Sequence, residues 1–115
     1  MALGELERKR IERAVDDFMS RNRPPVHIRP QLDFSFRIDG QNLELFEVRP
    51  RWDDPSDTME NSIAKASYVK NRDEWKVYWQ RADLKWHRYE PTPVVMSVEA
   101  FLALVEQDEY ACFFG

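Results

Sequence analysis

Residues 32–51 read LDFSFRIDGQNLELFEVRPR. Before the central Asp39-Gly40, apolar side chains fall on every second position at Phe34, Phe36 and Ile38; after it, Leu43 and Leu45 take up the same alternation. A period of two marks a strand with one buried face, and Asp-Gly between two such runs marks a tight hairpin, because glycine reaches positive φ without a Cβ clash. The two strands therefore send Phe34, Phe36, Leu43 and Leu45 into one core. The same parity places Glu47 and Arg49 on that side, towards the strand's end, and turns Phe46 and Val48 to the other.

Reading outward from this hairpin, Leu3, Leu6, Ile11, Ala14, Val15, Phe18 and Met19 follow helical spacing from Leu3 to Arg21, and the helix must stop before Pro24-Pro25. On the far side, Asp53–Asp57 is a loop, and residues 64–70, 75–81 and 84–90 read as three further antiparallel strands. Asn71–Glu74 joins the first two of these. A two-residue turn at Ala82-Asp83 joins the last two and sets Trp79 opposite Trp86 and Tyr78 opposite His87. Tyr68, Trp75, Val77, Trp79, Leu84 and Trp86 then share the core face. Ser97 caps a second helix, Val98 to about Gln107, with Val98, Phe101, Leu102, Leu104 and Val105 as its apolar stripe. The expected fold is α+β in one domain, residues 1–115: helix, five-stranded antiparallel meander, helix, with both helices packed on one face of the sheet.

The 115 residues include only three Gly, one Cys and two His. Backbone cradles for phosphate need several neighbouring glycines, so P-loops and dinucleotide fingerprints are excluded. A single thiol forms neither an internal disulfide nor a multi-cysteine zinc cluster. The first 20 residues lack the apolar core of a signal peptide, and no apolar run approaches the roughly 20 residues that span a bilayer. The expectation is a cytoplasmic protein with no membrane partner and no cofactor.

The net charge of −4 is unevenly spread. Residues 65–88 hold seven Lys or Arg against three carboxylates, a net of +4, whereas residues 89–115 hold five carboxylates and no Lys or Arg. In the expected register, Lys65, Lys76, Tyr78, Lys85, His87 and Tyr89 share the sheet face away from the helices. Cations interleaved with aromatic rings suit a nucleic-acid surface, charge for phosphates and rings for bases, or an acidic protein partner. A solvated face whose Lys stems cover the rings has the same pattern. The tryptophan cluster of the core face reads as core rather than as a base-stacking platform.

Glu47, Arg49, Arg51 and Arg81 suggest either an ion-pair network closing the sheet end or an anion pocket with Glu47 as acid or base. An enzymatic alternative sets Asp33 and Glu47 on adjacent strands as Mg²⁺ ligands, with Arg49 and Arg51 stabilising phosphorane charge, as in a metal-dependent nuclease or phosphodiesterase. Their opposite face parity counts against it. His27 and His87 lack a neighbouring nucleophile, and Cys112, beside Phe113-Phe114, reads as a packed hydrophobe. A homodimer through an exposed strand or the aromatic C-terminal tail is a further reading.

The strings ELFEVRPRW (44–52), KASYV (65–69) and WKVYWQRADLKWH (75–87) are long and rich in tryptophan. With them the chain, from about His27 to Gly115, resembles the bacterial domain of unknown function 3024 family. The resemblance implies a small, stand-alone, single-domain bacterial protein without an assigned activity, and it brings no catalytic residue with it. The reading favoured by the residues themselves is a non-enzymatic binding module whose basic–aromatic sheet face meets nucleic acid or another anionic partner.

Overall fold

Glycine at position 40 makes the first hairpin. In the structure, a computed structural model describing residues 3–114, Asp39 pairs with Asn42, so the loop is Gly40-Gln41, and Gly40 sits at φ 61°. Strand β1 (Asp33–Asp39) and strand β2 (Asn42–Pro50) pair in the register Phe34↔Glu47, Phe36↔Leu45 and Ile38↔Leu43, the parity expected from the sequence. Around them run helix α1 (Glu5–Asn22), strand β3 (Thr58–Val69), a 3-10 turn (Lys70–Arg72), strands β4 (Glu74–Gln80), β5 (Trp86–Arg88) and β6 (Val94–Val95), and helix α2 (Val98–Gln107). The sheet order is β1-β2-β3-β4-β5, an antiparallel meander, with β6 added beside β4. The expected α+β class, a five-stranded meander between two helices, is the architecture found.

Both helices press on one sheet face. Ile11, Val15 and Phe18 of α1 and Val98, Phe101, Leu102 and Val105 of α2 meet Leu43, Leu45, Ala64, Ala66, Trp75 and Val77 in one core. Leu6, expected in the stripe of α1, is 83% exposed. It lies nine residues before Val15, and nine steps of about 100° put it half a turn off the buried face. Ser97 caps α2 as expected, its Oγ accepting from the Ala100 N–H at 3.1 Å. Beyond α2, the Asp108 carboxylate accepts from the Phe113 and Phe114 N–H groups at 3.0 and 2.9 Å. That folds the tail back, and Phe113 packs on Tyr89 with ring centroids 4.8 Å apart.

Three departures from the sequence reading matter for the surface. Strand β3 starts at Thr58, six residues before the expected start at Ala64. Leu45 pairs with Ala64 but Phe46 with Ser62, so Ile63 is an extra, bulged residue. A bulge breaks the period of two, which hides the first half of β3 from a pattern search. Second, β6 exists. The Tyr89 N–H donates to the Val77 carbonyl and the Val77 N–H to the Pro93 carbonyl, so β5 and β6 are two pieces of one edge strand, interrupted where residues 90–92 loop out.

Third, the β4–β5 register differs from the expected one by one residue. Gln80 pairs with Trp86, Trp79 with His87 and Tyr78 with Arg88. Five residues, Arg81–Lys85, make the connection instead of two. The Leu84 N–H donates to the Arg81 carbonyl at 2.8 Å, and Leu84 takes up φ 62°. A one-residue slip sends every side chain of a strand to the opposite face. Trp86 therefore leaves the core face, and His87 and Tyr89 leave the open one.

Candidate anion-binding face

The sheet face away from the helices divides into two halves. On β1, β2 and the first part of β3, charges satisfy one another. Arg37 is bonded to Glu60 and lies 3.8 Å from Glu44, with its guanidinium 4.3 Å above the ring of the buried Phe46. Ser62 Oγ donates to Glu44 Oε1 at 3.0 Å.

The β3–β4–β5 half is built around Tyr78. Its cross-strand neighbours are Lys65 on β3 and Arg88 on β5, and Lys76 precedes it by two on its own strand, hence on the same face. Lys65 Nζ stands 5.0 Å from the ring centroids of both Tyr78 and Trp86. Burial pushes the Lys65 ammonium below the usual lysine range, and the Glu44 charge partly opposes that shift. Lys76 and Arg88 are exposed and have no hydrogen-bond or ion-pair partner among the described residues. Three cations thus surround one half-buried ring, in a sheet where like charges on neighbouring strands repel unless solvated or facing an anion.

Of the residues expected on this face, Lys65, Lys76 and Tyr78 lie there. Lys85 lies in the exposed β4–β5 loop, where its N–H donates to Asp83 Oδ1 at 3.0 Å. His87 points to the helix side and contacts Asp83 Oδ2 through Nε2 at 2.9 Å. Tyr89 is 2% exposed in the core, where burial pushes its phenol above the usual tyrosine range. Trp86 and Arg88 take the places of His87 and Tyr89; a five-residue turn would have predicted them, but nothing as plain as glycine marks that turn. Trp75 is buried against Tyr68 at 5.0 Å between centroids, in the core as expected.

The Glu47, Arg49, Arg51 and Arg81 group is dispersed. Glu47 Oε1 accepts from Arg49 Nε at 2.9 Å and from Asn61 Nδ2 at 3.2 Å. Arg51 is held by Asp53 at 3.0 Å and by Asp57 at 3.7 Å, while Arg81 lies 5.6 Å above the Trp79 ring. Asp33 is gripped by Arg23, whose Nε and Nη2 each donate at 2.8 Å, and this holds its carboxyl below the usual range. Asp33 pairs with Val48 and Phe34 with Glu47, so the two carboxylates of the nuclease reading face opposite sides of the sheet. Among the described residues, no three His, Cys, Asp or Glu side chains come together as metal ligands. His27 is exposed in the α1–β1 loop. Cys112 is half-buried, and burial raises its thiol pKa, the environment of an inert rather than a reactive thiol.

Among the described residues, no helix is long and apolar enough to cross a membrane. A family model described as a domain of unknown function, DUF3024, matches residues 3–115. No curated protein and no solved structure matches the chain.

Proposed function

The chain belongs to the DUF3024 family, and because that family is a domain of unknown function, we propose a role from the surface itself: a non-enzymatic module that binds single-stranded nucleic acid on its open sheet face. The observation that carries this reading is Tyr78 set among Lys65, Lys76 and Arg88, with Trp86 beside it under Lys65. Phosphates are drawn to the cations. Bases stack on the two rings, a contact worth about 1–3 kcal/mol per base and tolerant of sequence. Arg37 contributes little, being bonded already to Glu60.

Fluorescence anisotropy with single-stranded DNA and RNA tests it. Neutralising three phosphates on a single strand gives a slope of about −2 in log K against log salt, so affinity falls about 20-fold between 50 and 200 mM salt. Arg88→Gln and Lys76→Gln each flatten that slope by somewhat less than one. Absence of binding, or binding indifferent to salt, removes the proposal. No observation favours cleavage chemistry at Glu47 and Asp33, since each carboxylate is already held by an arginine on its own side of the sheet.

A further inference from the structure

Where the edge strand breaks between β5 and β6, the open face is not flat. A pocket of about 270 Å³ lies there, lined by Lys76, Tyr78 and Arg88 together with Arg72, Glu74, Pro93 and the first residue of β6, Val94. Its charges can be paired off. Glu74 has a partner in Arg72 at 3.8 Å. Lys76 and Arg88 have none among the described residues, and the Tyr78 hydroxyl makes no hydrogen bond there. Two unmatched cations and one unmatched hydroxyl remain. An internal phosphodiester carries one negative charge, whereas a phosphate monoester carries close to two at neutral pH and offers three acceptor oxygens. The volume lies below the roughly 300–1,000 Å³ of pockets that enclose drug-sized ligands, so it admits a phosphate with its sugar rather than an extended cofactor.

We propose that this pocket binds a phosphate monoester, carried by the end of a nucleic-acid strand or by a free mononucleotide, with Arg88 and Lys76 meeting its charge and Tyr78 donating a hydrogen bond. The strand-end form rests on the nucleic-acid reading above; the mononucleotide form does not. On this view the open face is polarised. Lys65, Tyr78 and Trp86 hold the body of the strand, and the β5–β6 break holds its terminus.

The test uses one oligonucleotide sequence in four forms, 5′-phosphorylated, 3′-phosphorylated, hydroxyl-ended and circular, together with adenosine monophosphate followed by amide shifts of β4 and β6. The expected result is about tenfold tighter binding of one phosphorylated form than of the hydroxyl-ended and circular forms. Arg88→Gln, at an exposed position and checked for native circular dichroism, abolishes that preference, while it weakens the hydroxyl-ended and circular forms alike, by the loss of one phosphate contact. Equal affinity for all four forms with a silent mononucleotide overturns the pocket assignment while the face-binding proposal stands. Mononucleotide binding at β4 and β6 with no oligonucleotide bound does the reverse. If neither binds, both fall.

Discussion

The first and last hairpins of the sheet reverse the chain by different means. Between β1 and β2 the turn is two residues long, and Gly40 supplies its positive φ of 61°. Between β4 and β5, five residues make the turn without any glycine. The positive φ there falls on Leu84, and side chains hold the shape: Gln80 Nε2 donates to the Leu84 carbonyl at 3.1 Å, and Asp83 accepts from the Lys85 N–H. A glycine announces the handedness of a turn and so pins the register of both strands. When hydrogen bonds from ordinary residues do that work, the register is just as definite in the molecule but carries no such mark. The consequence is concentrated on the surface: the β1–β2 residues lie as the alternation dictates, whereas Trp86, His87, Arg88 and Tyr89 all change sides.

The sharpest break of this comparison lies at Tyr89 and Trp86. In the observed register Tyr89 is buried among core residues, its ring tilted against that of Phe113. Tyr89→Ala should cost about 3 kcal/mol in urea unfolding, near the lower end for deleting a buried aromatic side chain. Trp86→Ala should cost about 1 kcal/mol or less, mostly the cation–π contact with Lys65, while weakening single-strand binding. The alternative register reverses the order of the two costs. A larger loss at Trp86 than at Tyr89 would therefore reject the register and the binding face together.

The legible parts of this molecule are those where one local rule settles the geometry. Pro24-Pro25 ends α1, Ser97 starts α2, and Phe34, Phe36, Leu43 and Leu45 sort the first hairpin. The bulge at Ile63 escaped because it depends on how Ile63 and Ala64 both reach the core, which no single strand's pattern records. Of the candidate site, Lys65, Lys76 and Tyr78 were legible because β3 and β4 keep their parity through Ala64↔Trp79 and Ala66↔Val77. Arg88 and the pocket beside it were not. They depend on the unmarked turn and on β6, whose two valines are too short a run to stand out.

Exchanging glycine between the two turns gives the next, smaller effects, opposite in sign. A Cβ at Gly40 meets nothing within 4 Å, so Gly40→Ala is penalised by backbone conformation alone, about 1–2 kcal/mol. Leu84 is largely exposed, and Leu84→Gly relieves strain of similar size while loosening the unfolded chain, for a net gain of about 0.5 kcal/mol. Thermal or urea unfolding of the two variants measures both. If Leu84→Gly destabilises, the leucine is held at positive φ by packing rather than by the turn's hydrogen bonds, and the contrast between the hairpins weakens.

The smallest effect isolates what holds the glycine-free turn. The Asp83 carboxyl is held below the usual range first by the Lys85 N–H and second by the His87 ring. A carboxyl depressed in the folded state contributes stability above its unfolded value, and that contribution is lost as pH falls through the folded value. The turn should therefore loosen only in acid, below pH about 4, and by little, because the group is half-exposed and water screens it. The carbon-13 shift of the Asp83 carboxyl reads the titration directly. In His87→Gln its midpoint should rise yet remain below that of an unfolded-chain aspartate, since the backbone donor is still in place. A midpoint restored fully to the unfolded value would assign the turn to the histidine contact. The five-residue loop would then owe its shape to β5 rather than to its own residues.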